Sequence, residues 1–179
     1  MPYFTTRDLM AATVCGALWA ILNALISPIF WQLSHMPFLC DLLAFTSLTL
    51  VVWWTRKLGA ATLTGVVVAA LTLILNPAAF HIFAFMAASI IFDIATKGVG
   101  YHNCLDKVVV SMACVIFFST LSAGLAGAII GSIFMDIRTL TGVLTFAGLH
   151  AVGGTLGGAI GFTVIRALAA RRIHPSSSL

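Results

Sequence analysis

His81, Phe85, Ser89 and Asp93 recur at every fourth residue, so on a helix they share one face. Trp19 and Asn23 repeat that spacing, and so do Phe146 and His150. Asp41, Asn76, Trp31 and His35 complete the polar and aromatic residues that could act together. The set holds rings that stack, groups that hydrogen-bond and a carboxylate. Such groups bind a flat heteroaromatic molecule, a cationic one included. They do not form a nucleophile with a base and an acid beside it, so no catalytic residue is assigned and the chain reads as a binder, not an enzyme. His81 and His150 could meet across a bundle, but two ligands do not complete a metal site. Cys15, Cys40, Cys104 and Cys114 form no Cys-x-x-Cys pair and read as packing thiols.

The elements that must position these residues follow from composition. Of 179 residues, 61% are hydrophobic and 8% charged, and Glu is absent. Soluble domains carry about a quarter charged residues, so this chain belongs in a lipid bilayer. Six apolar segments stand near 8–29, 38–55, 59–76, 78–96, 106–134 and 139–168. Each supplies the ~20 residues that cross a bilayer core. All are expected to be helices, because lipid offers no partner for unpaired backbone groups. The expected fold is an all-α membrane protein over residues 1–179, with six transmembrane helices in one bundle. The first segment reads as a span and not as a cleaved leader. No internal repeat is present, which gives no support to inverted transporter halves.

Charge sets the expected orientation. Arg7, Arg56, Lys57, Lys97, Lys107, Arg166, Arg171 and Arg172 fall at breaks on one side, and only Arg138 falls on the other. The positive-inside rule puts both termini in the cytoplasm of a plasma (inner) membrane. The basic balance therefore reports orientation, and nucleic acid is not expected as a partner. Trp53 and Trp54, beside Arg56, read as interfacial belt residues.

Asn76-Pro77-Ala78 matches the tripeptide of water channels, but it occurs once and such channels need two. It reads as a helix start, with Asn76 as N-cap and Pro77 in the first turn. Asp93 lies four residues before Lys97, the spacing of an ion pair. Ala12, Gly16, Ala20 and Ala24 form a small-residue stripe on the first segment, which permits close approach by another helix, in the bundle or in a partner. Gly153, Gly154, Gly157, Gly158 and Gly161 form a second close-packing surface. No Gly-Lys-Ser/Thr follows them, so they are no phosphate loop, and no cofactor is expected.

The stretch "AATVCGALWAILNA", with Ala20-xxx-Ala24, sits in a chain of six expected helices. In this it resembles the substrate-binding S components of energy-coupling-factor (ECF) vitamin transporters. "WWTRKLGAATLTGVVVAALTLILNP" looks like the helix 2–3 region of the thiamine and hydroxymethylpyrimidine members. The resemblance implies capture of a small vitamin-like heterocycle, thiamine or its pyrimidine precursor, at the outer face. It also implies delivery with a membrane coupling protein and two ATPase subunits. The stripe at Ala12, Gly16, Ala20 and Ala24 would dock that coupling protein. Trp31 and His35 would lie on a lid, and the ligand would meet Trp19, Asn23, His35, Asp41, Asn76, His81, Phe85 and His150. The rival expectations are a small self-contained channel or transporter and a structural assembly protein.

Overall fold

The computed structural model describes residues 3–34, 36–173 and 175. The helices are α1 (Thr6–Ser34), α2 (Phe38–Thr55), α3 (Ala60–Leu75), α4 (Ile82–Val99), α5 (Tyr101–Leu105), α6 (Val108–Ile129) and α7 (Leu140–Ala170), with a π-helical turn, Ile130–Phe134, continuing α6. Each of the six expected segments overlaps one of the longer helices, and they pack into one bundle. Helices α1, α2, α4, α6 with its π turn, and α7 are long and apolar enough to cross a membrane. The chain is a multi-pass helical membrane protein.

Several boundaries differ from expectation for local reasons. Six full spans were expected, but α3 has only 16 residues. It cannot begin before Gly59, which has φ 95°, and it ends at Asn76, held extended before Pro77 at φ −144°. Pro28 stands at the expected end of the first segment, near 29, yet α1 runs through it to Ser34. A proline within a helix removes the N–H that would bond the carbonyl four residues back, here Ala24. Helix α4 starts at Ile82, not near 78, because Asn76 caps no helix start. Its Oδ1 accepts from the Ala78 N–H at 3.2 Å, and its carbonyl accepts from Ala79 at 3.0 Å, folding residues 76–81 into turns. In the π turn the Met135 N–H reaches the Ile130 carbonyl at 2.9 Å. Neither α5 nor this turn was anticipated.

Helix α7 packs against both α2 and α6, and its glycines divide between the two. A Cβ on Gly157 would stand 2.9 Å from the carbonyl oxygens of Asp41 and Leu42, and one on Gly153 would stand 2.7 Å from Phe38 Cα. These glycines face α2. Gly154 and Gly158 instead abut Ser119 of α6. Backbone contact this close carries helix association where lipid supplies no hydrophobic drive between helices. The stripe on α1 also works within the bundle. Ala12, Gly16 and Ala20 are buried, and a Cβ on Gly16 would meet Val67 Cγ1 of α3 at 3.0 Å. It is therefore not on the outer surface where a docking partner would meet it. Only Ala24, half-buried, lies apart from that contact, at the wall of the cavity described below.

One end of the bundle is tied by charge. Thr5 and Asp8 form a capping box, with Thr5 N–H to Asp8 Oδ2 at 2.9 Å and Asp8 N–H to Thr5 Oγ1 at 3.3 Å. Lys57 Nζ reaches Asp8 Oδ2 at 2.7 Å. Arg56 grips both carboxylate oxygens of Asp106, and His102 Nδ1 lies 2.9 Å from the same group. Burial raises the Asp106 pKa, but Arg56 and then His102 outweigh it and hold the carboxyl below the usual carboxylate range. Asp93 does not pair with Lys97. Its Oδ2 accepts from the Gly59 N–H at 2.8 Å and from the Thr62 N–H and hydroxyl at 3.0 Å, capping α3. Lys97 instead lies over the Tyr101 ring, 5.4 Å from its centroid. Trp53, expected in an interfacial belt, is buried in the core.

Candidate functional site

The opposite end of the bundle is hollow. A cavity of about 520 Å³ lies between the C-terminal part of α1, the start of α2, the end of α3, the turns before α4, the π turn and the first half of α7. Its volume falls in the range of small-molecule sites, about 300–1,000 Å³. The rim carries exposed residues, among them Trp31, Asn76 and Phe80, so the hollow opens outward from the bundle.

Each wall follows from its element. On α1, Asn23, Ser27 and Trp31 are four apart and all line the cavity. Ser27 Oγ donates to Asn23 Oδ1 at 2.7 Å, orienting the amide. On α7, Phe146 and His150 line it one turn apart, their ring centroids 4.8 Å from each other in an edge-to-face arrangement. Residue 127 of α6 has to be glycine for this ring to sit where it does, since a Cβ there would stand 2.7 Å from His150 Cβ. Thr72 closes the α3 side, and its hydroxyl is buried with no hydrogen-bond partner among the described residues. His81 stands in the turn before α4, where burial pushes its imidazole below its ordinary pKa and nearby His150 adds to the effect.

Of the residues expected to meet a ligand, Asn23, Asn76, His81 and His150 line the cavity. Trp19 and Phe85 are buried and edge-to-face, 6.0 Å between centroids, and Phe85 is 6.0 Å from the His150 ring. They support His150 from beneath and are not part of the wall. Asp41 is fully buried, and its Oδ2 lies 2.8 Å from His150 Nδ1. It too is behind the wall. His35 lies outside the described residues. The face expected to turn inward along α4 does so, with Phe85, Ser89 and Asp93 all buried.

Sequence reasoning missed Thr72, Ser27, Cys40 and Phe80 as lining residues. Thr72 sits four residues before Asn76, a spacing that could have flagged it. Phe134 and Met135 reach the wall through the π turn, which no sequence period announces. Among the described residues, no three His, Cys, Asp or Glu stand close enough to share a metal ion. Among the described residues, no Lys or Arg lines the cavity. The arrangement can therefore hold a ring by stacking and edge contacts, with neutral hydrogen-bonding groups around it.

Comparison with protein-family models, with curated proteins and with solved structures found no match.

Proposed function

We propose that this chain is the membrane-embedded capture subunit of an ECF-type importer, and that it takes a small vitamin-like heterocycle into the cavity at the end of the bundle away from the Arg56–Asp106 pair. The observation that carries this reading is the cavity of about 520 Å³, walled by Phe146 and His150 on one side and Asn23, Thr72 and His81 on others. A ring of vitamin size fills such a volume. Eight of the nine Lys and Arg residues belong to the other end, and this supports an opening at the outer face by the positive-inside rule. That basic end is cross-tied through Asp8, Asp93 and Asp106, which speaks against a continuous pore and for a subunit that needs partners to release its cargo. Those partners are a membrane coupling protein and two ATPase subunits. Thiamine's pyrimidine precursor fits the wall better than thiamine, because Asp41, which would meet the thiazolium charge, lies behind His150.

The test is ligand binding by the purified protein in detergent. Trp31 at the rim and Trp19 below the cavity make tryptophan fluorescence a direct readout. Submicromolar pyrimidine precursor is expected to change the emission and raise the melting temperature, and His150→Ala is expected to weaken both responses. A full B-vitamin panel that alters neither signal would overturn the capture reading.

A further inference from the structure

Two buried polar groups that line the cavity, Thr72 Oγ1 on α3 and the Nε2 of His150 on α7, have no hydrogen-bond partner among the described residues. Buried polar atoms in folded proteins are nearly always satisfied, so two unsatisfied groups lining the same cavity point to a bound group that completes them. What His150 can offer depends on Asp41. The two side chains are 3% and 0% exposed, with Nδ1 2.8 Å from Oδ2.

Counting protons on this pair fixes the chemistry of its free edge. With one shared proton the pair carries a net charge of −1 and Nε2 is bare. With two it is neutral overall, one proton lying between Asp41 and Nδ1 and the other on Nε2. That outcome is the same whether the pair is written as carboxylate and imidazolium or as acid and imidazole. Among the described residues, no Lys or Arg lines the cavity to balance a negative pair. Of the other titratable lining groups, His81 stands before α4 and Cys40 at the start of α2, and neither supplies a fixed positive charge. An uncompensated charge at this depth costs several kcal/mol, and the arrangement of the pair that carries no net charge is the one with a hydrogen on Nε2.

We infer that the ligand is an uncharged ring with a hydrogen-bond acceptor in its edge, a pyridine-type nitrogen or a ring carbonyl, received by the Nε2–H of His150 while Asp41 holds the imidazole in that form. The inference rests on the capture reading and narrows it to acceptor-bearing, non-cationic heterocycles. Phe146, edge-on to the imidazole at 4.8 Å, flanks the ring that docks there. Asp41 acts as a positioning residue.

The experiment compares three probes on the unaltered protein by isothermal titration: the hydroxymethyl aminopyrimidine, its aniline analogue with both ring nitrogens replaced by CH, and thiamine. Loss of a hydrogen bond to a buried donor weakens binding about tenfold or more. The pyrimidine is expected to bind at least tenfold more tightly than the aniline, and thiamine no more tightly than the pyrimidine. His150→Gln, which keeps an N–H donor, is expected to retain more of the pyrimidine preference than His150→Leu. Equal binding of pyrimidine and aniline would overturn the acceptor assignment and leave capture standing, and so would thiamine binding more tightly than both. Binding of no probe and no member of the vitamin panel would overturn both.

Discussion

Nδ1 of His150 on α7 stands 2.8 Å from Oδ2 of Asp41 on α2, and both side chains are buried. The pair links the helix that walls the cavity to the helix behind it. Removing one partner strands the other, which costs about 3–5 kcal/mol for a buried pair. Removing both leaves a void without a stranded charge. His150→Ala is therefore expected to destabilise the protein strongly, and the same change made on an Asp41→Ala background is expected to cost clearly less. Denaturation of the four proteins in one detergent measures this coupling, and equal costs in both backgrounds would show that the two groups are independent.

The glycines of α7 are not equivalent. Gly157 faces the backbone carbonyls of Asp41 and Leu42, where an added Cβ would stand 2.9 Å away, whereas a Cβ on Gly148 meets nothing within 4 Å. A methyl forced against backbone separates the helices and costs about 1–3 kcal/mol. In open space it only improves helix propensity, by up to ~1 kcal/mol. Gly157→Ala should lower the melting temperature, and Gly148→Ala should leave it unchanged or raise it. The reverse ranking would mean that α7 does not pack on α2 through this face.

These contrasts mark what the sequence made legible. Hydropathy located the helices, and spacing of four put Phe146 beside His150 and brought Phe85, Ser89 and Asp93 to the inside. Periodicity could also say that Ala12, Gly16 and Ala20 share a face, but not what that face meets, since small residues admit an intramolecular or an external helix alike. The structure gives the stripe to α3. Asp93 was misread because a local partner, Lys97, has the right spacing, while its actual donors at Gly59 and Thr62 are 34 and 31 residues away. Asn76-Pro77 carried a cap signature, and only the turn that followed showed that α4 begins later. Depth was the other blind spot: spacing could not tell the wall residue His150 from Asp41, which stands behind it.

Asp93 anchors the start of α3. Its Oδ2 takes hydrogen bonds from the Gly59 N–H, the Thr62 N–H and the Thr62 hydroxyl at 2.8–3.0 Å, and its charge opposes the positive end of the helix dipole. Hydrogen bonds to a charged acceptor contribute about 1.5–3 kcal/mol. Asp93→Ala is expected to speed amide hydrogen exchange at Gly59 and Thr62 and through the first turn of α3. Exchange around the distant cavity should change far less. Uniform acceleration across the bundle, or none at Thr62, would contradict a local capping role.

The Arg56–Asp106 pair ties the end of α2 to the segment before α6, and it makes acid stability predictable in sign. Arg56 and His102 together hold the Asp106 carboxyl below its ordinary pKa against the opposing effect of burial. A carboxyl with a lowered folded pKa adds stability above its unfolded value, about 3.9, and loses it as pH falls through the folded value. The melting temperature of the unaltered protein should therefore drop as pH is taken from 5 toward 3. Asp106→Asn should start lower at pH 5 and lose less over the same interval, because its amide does not titrate. Parallel pH profiles for the two proteins would show that the Arg56–Asp106 contact contributes nothing to holding the closed end together.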